Sequence, residues 1–186
     1  MKNSNRPGRN AAIVCLLVLL NLLGLARAGA GDGKSAFAAG QKAPAFQATT
    51  TDGKTVRFPD AYKGKVVLLD FWATWCPPCR AELPNVVAAY QKFHPQGFEV
   101  LGISLDRENS AAKLAQFAKE NNVTWPQIYD GKFWKAALAV QYGIHSIPRP
   151  VLVDGDTGLI LAEGPEARGQ RLAPAIEKAL AAKNKR

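Results

Sequence analysis

Cys76 and Cys79 enclose two prolines in the run Asp70-Phe71-Trp72-Ala73-Thr74-Trp75-Cys76-Pro77-Pro78-Cys79-Arg80. Two thiols three residues apart close a disulfide only where the backbone between them turns tightly. The first turn of a helix supplies that turn, and its unpaired N–H groups also stabilise a thiolate. Thiol–disulfide exchange, a structural disulfide and half of a zinc site are the chemistries open to such a pair. No second Cys-x-x-Cys and no histidine pair completes tetrahedral ligation, and His94 and His145 stand alone. No metal and no cofactor is therefore expected.

Two carboxylates lie close to the pair in sequence. Asp70 falls six residues before Cys76 in the otherwise apolar run Val66–Trp72. A lone carboxylate there is costly unless it has a task or a partner such as Lys65. Burial raises its pKa and makes it a usable base near neutrality. Glu82 follows Cys79 by three residues, on the side of a helix that carries both cysteines. On spacing alone it reads as a surface helix carboxylate.

The N-terminus reads as an address. Lys2, Arg6 and Arg9 lead into Ala11 to Ala26, apolar except for Asn21, and Ala26-Arg27-Ala28 places small residues before a cut at Gly29. This is the pattern of a secretory signal peptide over residues 1–28. An uncleaved membrane anchor is the alternative, but the run falls short of the ~20 residues that span a bilayer. Cys15 sits inside the apolar run, not after it, so it reads as a small apolar residue. The exported chain then keeps only Cys76 and Cys79, and a single pair in an oxidising compartment favours redox work. Of the net charge of +9, four units belong to Lys2, Arg6, Arg9 and Arg27, and three to Lys183, Lys185 and Arg186. The body is left near +2, which points to no nucleic-acid partner.

Certain elements must position the pair. Residues 29–40 read as a flexible linker, with order beginning near Gln41. Ala45–Thr51 and Lys54–Phe58 flank the hairpin signal Asp52-Gly53, and Pro59–Tyr62 reads as a helical turn. Val66–Trp72 reads as a buried strand running into the cysteines. A helix continues to Phe93, kinked by Pro84, with Val86, Val87 and Tyr90 on its buried face. A strand over Phe98–Leu105 follows, then a helix capped by Asn109 or Ser110 and ending near Glu120. A short strand over Trp125–Tyr129 precedes a helix over Lys132–Tyr142 closed by Gly143. Arg149–Asp154 and Leu159–Glu163 form a hairpin, and a helix from Ala167 to Ala182 ends the chain. The order implies an α/β fold: a central mixed sheet flanked by helices on both faces, with an N-terminal β-hairpin and a helical insertion.

The run Phe71 to Cys79 resembles the active site of the thioredoxin superfamily. Residues 41–182 as a whole resemble its exported TlpA-, ResA- and CcmG-like branch, including Arg80-Ala81-Glu82-Leu83-Pro84 after the cysteines. The resemblance implies a thioredoxin-like domain over 41–186. It makes Cys76 the exposed nucleophile at the helix N-cap and Cys79 the shielded resolving thiol, with Pro77 and Pro78 stiffening the turn. Asp70 matches the buried aspartate that takes the resolving cysteine's proton, although many TlpA-like proteins carry asparagine there. Glu82 matches a ResA-type glutamate that tunes the site's protonation. Ile147-Pro148 resembles the cis-proline loop that faces the cysteines, with Ile147 offering its backbone to a substrate strand. Arg149 and Pro150 depart from the usual threonine-containing pattern. Trp75 and Trp72 are expected beside the site, Trp75 the more exposed, Trp125 and Trp134 in the core, and His145 partly buried in a loop.

The resemblance implies a periplasmic, monomeric thiol–disulfide oxidoreductase reducing disulfides or cysteine pairs of partner proteins, of the apocytochrome c or copper-site type. A membrane thiol donor would regenerate the dithiol. The same residues could run in reverse as a disulfide donor, or hold copper or haem as a chaperone. The only Met is the initiator and no His adjoins the pair, which disfavours the chaperone. A thiol peroxidase lacks its threonine-to-cysteine spacing.

Overall fold

The structure is a computed structural model that describes Met1 and residues 37–185. The signal peptide expected over 1–28 lies outside the described residues, as does the linker up to residue 36. The chain divides into two compact units, Met1–Asp32 and Gly33–Arg186, and only the second is described in detail. Within it, the Phe37 ring sits 5.7 Å from that of Tyr142, and the Gly40 N–H donates to the Ile160 carbonyl.

Strand β3 (Val66–Trp72) is the axis of the fold, buried at every residue. An apolar run this long fits only a strand covered on both faces. It pairs in parallel with β4 (Phe98–Ser104) and antiparallel with β6 (Arg149–Asp154). The parallel neighbour of β4 is β5 (Gln127–Tyr129), and the antiparallel neighbour of β6 is β7 (Ile160–Glu163), so the order is β5-β4-β3-β6-β7. The mixed sheet expected from the sequence is thus present.

The hairpin of β1 (Phe46–Thr49) and β2 (Thr55–Phe58) forms a separate two-stranded sheet. Its tip is a three-residue loop between Thr50 and Lys54. The Gly53 N–H donates to Thr50, and Gly53 takes φ +82°, the left-handed position a bulged turn of this length needs. A single 3-10 turn, Asp60–Tyr62, follows where a helical turn was expected.

Alternation along β3 sends side chains to two cores. Val67, Leu69 and Phe71 join Leu138, Ala139 and Tyr142 on one face. Val66 and Leu68 join helix α1 (Pro77–Phe93) through Leu83, Val86 and Phe93, and helix α4 (Leu172–Lys183) through Ile176 and Leu180. Helix α1 buries Cys79, Leu83, Val86, Ala89 and Phe93, whereas Val87 and Tyr90 are only half-buried. Helix α2 (Ala111–Glu120) follows Ser110, whose side chain makes no capping bond.

Two helices differ from the sequence expectation. Residues 132–142 are not one helix but a 3-10 turn over Phe133–Lys135 and a short α3 (Ala137–Gln141). Ala136 between them is extended, and Phe133 takes φ +56°, so the chain turns twice where composition alone reads as continuous. The expected close at Gly143 is present: Gly143 donates to Val140 and Ile144 to Ala139, a Schellman pair. The last helix begins at Leu172 instead of Ala167, because positive-φ glycines at 164 and 169 break the segment into two 3-10 turns.

Candidate active site

The site forms where β3 ends and α1 begins. Cys76 is the N-cap of α1, in extended backbone conformation, and its Sγ accepts the Cys79 N–H at 3.2 Å. Pro77 and Pro78 open the helix where a missing N–H leaves no bond unmade. Cys76 and Cys79 are joined as a disulfide with Cα atoms 5.3 Å apart. The cysteines are 2% and 4% exposed respectively. The expectation of an exposed Cys76 beside a shielded Cys79 therefore fails for the disulfide form. Its sulfur turns inward to meet Cys79, and the Ile147 carbonyl oxygen lies 3.8 Å from it.

The Ile147–Pro148 peptide is cis, the geometry implied by the resemblance. Arg149, the residue that departs from the family pattern, pairs with Glu163 on β7. His145 is exposed, not partly buried.

Asp70 is buried on the face that α1 covers, laterally aligned with Gly102 of β4 and Pro150 of β6. Neither neighbour offers it an N–H at a side chain. Burial, and then the negative charge of Glu82, push its carboxyl up from 3.8 to about 7. The alternative pairing with Lys65 is absent, because Lys65 binds Glu99. Glu82 is half-buried and accepts the Gly169 N–H at 2.6 Å and the Asn85 amide at 3.3 Å. One helix thus carries both cysteines and the acid that acts electrostatically on Asp70.

Trp75 is 37% exposed, and its indole N–H donates to the Leu105 carbonyl at 3.1 Å. Trp72 is buried and Trp125 lies in the core. Trp134 is half-buried and packs against the edge of the core, 6.0 Å from Trp75 in a T-shaped contact.

Two buried polar residues at the site escaped the sequence reading. Asp106, just past β4, accepts the Thr74 N–H (3.1 Å), the Thr74 hydroxyl (2.6 Å) and the Ser104 hydroxyl (2.8 Å). It thereby anchors the loop two residues before Cys76. The signal was available, since Asp106 follows an apolar run as Asp70 sits within one. Gln127 accepts the Trp72 indole N–H at 3.0 Å and lies over Gly102, whose added Cβ would stand 2.1 Å from its Oε1. Nothing in the sequence distinguishes that glutamine.

Among the described residues no group of three or more His, Cys, Asp or Glu side chains could hold a metal ion. Nor is any described helix long and apolar enough to cross a membrane. A closable dithiol at a helix N-terminus, with a buried carboxyl raised to about 7 on the strand that leads into it, is suited to two-electron exchange with other disulfides.

Comparison with known proteins agrees with this chemistry. Residues 39–160 match the AhpC/TSA family. The thiol-disulfide oxidoreductase ResA of Bacillus thuringiensis subsp. konkukian is 32% identical over 143 residues, 76% of each chain. Among solved structures, the thioredoxin domain of a thiol-disulfide oxidoreductase from Bacteroides vulgatus superposes with a TM-score of 0.67 at 34% identity. That match covers 78% of this chain and 99% of the other. A thiol:disulfide interchange protein from a Bacteroides species gives 0.64 at 35% identity, over 78% and 91%. The chain belongs to the AhpC/TSA family and, with its thioredoxin-like fold and paired cysteines, to the ResA-like thiol-disulfide oxidoreductases within it.

Proposed function

We propose that the protein is an exported, monomeric reductant of disulfides in partner proteins. The Cys76 thiolate attacks one sulfur of a partner disulfide, forming a mixed disulfide and releasing the partner's other sulfur as a thiolate. Cys79 gives its proton to Asp70 and attacks Cys76 Sγ. The second partner sulfur leaves, two electrons have passed to the partner, and the Cys76–Cys79 disulfide remains. A membrane thiol donor returns the two electrons. Glu82 raises the affinity of Asp70 for its proton, and Ile147, Pro148 and Trp75 form the surface on which the partner strand lies.

The observation that carries this reading is the Cys76–Cys79 disulfide at the N-cap of α1, with the Ile147 carbonyl of the cis-proline loop at its sulfur. A purely structural disulfide needs no docking backbone beside it. The signal-peptide pattern supports a periplasmic location for the mature protein, with anchoring by an uncleaved N-terminus as the alternative. Apocytochrome c or copper-site cysteine pairs are the partner type that the family resemblance favours.

Reduction of insulin by the full chain, with Cys76→Ser as control, tests the chemistry. Activity that survived the substitution would sink it. A redox titration tests direction: a potential near the about −270 mV of thioredoxin supports a reductant, and one near the about −120 mV of a strong oxidant reverses the reading.

A further inference from the structure

The surface beside Cys76 extends beyond Trp75. The Phe133 ring lies 5.1 Å from that of Trp75, and Trp134 lies 5.6 Å from Phe133. The Arg107 guanidinium sits over the Phe133 ring at 4.0 Å from its centroid. Phe133 holds φ +56°, an uncommon conformation for a bulky side chain, and the surroundings impose it. Asp130 binds the Lys132 N–H at 3.0 Å and the Ala137 N–H at 2.8 Å, bracketing the turn. A backbone bridge joins Arg107 to Lys132, and the Tyr129 hydroxyl donates to the Arg107 carbonyl. The shelf is therefore built, not incidental.

Its exposed charge leans positive. Arg107, Lys132 and Lys135 are exposed and none has an ion-pair partner among the described residues. Three acids lie in these loops: Asp106 is buried and bonded to Thr74 and Ser104, Asp130 is exposed but binds two backbone N–H groups, and Glu108 is exposed with no ion-pair partner among the described residues. A guanidinium lying on an aromatic face keeps its N–H edge open to a carboxylate.

We propose that this aromatic shelf and its cationic rim dock a partner polypeptide that carries acidic side chains beside its reactive cysteine. This rests on the oxidoreductase reading and adds a substrate preference to it. Apolar side chains of the partner lie on Trp75 and Phe133 while its carboxylates reach Arg107, Lys132 and Lys135. The rim acts on encounter, so its effect is on the second-order rate and is screened by salt.

The test uses the prereduced full chain, freed of reductant, and two fluorescence-quenched peptides with one intrachain disulfide, flanked by Glu in one and Lys in the other. At low ionic strength the Glu peptide is reduced about tenfold faster than the Lys peptide, and the ratio shrinks with salt. Arg107→Glu brings the ratio toward one or below, whereas Arg107→Lys preserves it. Lys135→Glu reads the same ratio without disturbing the ring contact under Arg107. Because each ratio is taken within one variant, a general loss of activity cancels. Equal rates for the two peptides, or a ratio unmoved in both charge-reversal variants, overturn the docking surface alone. Failure to reduce either peptide overturns the oxidoreductase reading, and the docking surface with it.

Discussion

Replacing Asp70 by Asn removes a titration from the interior and leaves the shape nearly unchanged. The carboxyl is 7% exposed and pushed up from 3.8 to about 7, chiefly by burial and then by Glu82. Between about pH 4 and 7 the folded chain therefore keeps a proton that the unfolded chain has lost. With the folded value the higher, unfolding free energy falls as pH rises through that window and levels off above it. Each decade of pH between 3.8 and about 7 costs about 1.4 kcal/mol, so the cost above pH 7 is on the order of 4 kcal/mol. Denaturant unfolding of the oxidised protein and of Asp70→Asn, run at several pH values, isolates this effect, because groups common to both cancel. The variant is expected to match the parent near pH 4 and to exceed its stability by up to about 4 kcal/mol at pH 8. Parallel stability curves across the window would refute a buried, nearly neutral Asp70. In reduction assays the same variant loses the rise in mixed-disulfide resolution near pH 7.

Three further substitutions probe the packing, two near the loop and one at the far end of β3. Gly102→Ala places a Cβ 2.1 Å from Gln127 Oε1, so Gln127 must move and the Trp72 indole N–H loses its acceptor. A loss of about 1–3 kcal/mol is expected in denaturant unfolding, with a changed tryptophan emission. Gly155→Ala meets backbone instead, the Tyr62 carbonyl oxygen at 1.9 Å, and is expected to yield no cooperatively folding protein by thermal melting. Asp106→Ala strands the Thr74 N–H, the Thr74 hydroxyl and the Ser104 hydroxyl, at a cost of about 3 kcal/mol or more in unfolding experiments.

The sequence revealed the positions of residues that act by type and spacing. β3 spans Val66–Trp72 as read, because seven residues covered on both faces leave an unbroken apolar signature. The helix after Cys76 was equally legible from Pro77 and the pair itself. What stayed hidden depends on backbone conformation that composition does not encode. Residues 132–142 have helical composition, yet Phe133 at positive φ and an extended Ala136 divide them. That division brings Phe133 and Trp134 to Trp75, so Trp134 packs at the edge of the core beside the site instead of within it. The approach of Ile147 to Cys76 spans seventy-one residues of sequence and was legible only through the family resemblance of the Ile147-Pro148 loop.

Asp70 and Asp106 show how one sequence signal separates into two chemical roles. Both are buried carboxylates on neighbouring strands or just beyond them, near the loop that carries Cys76. Asp106 is met by three donors, two of them from Thr74, and these bonds make it a fixed anchor for the loop before Cys76. Asp70 is aligned with a glycine on one side and a proline on the other, and its largest electrostatic neighbour is an acid. Nothing there rewards ionisation, so the proton stays until near-neutral pH and can be handed on. A side-chain donor at position 102 or 150 would favour the ionised form of Asp70 and lower its pKa. With a glycine and a proline there instead, burial and Glu82 hold the carboxyl at about 7.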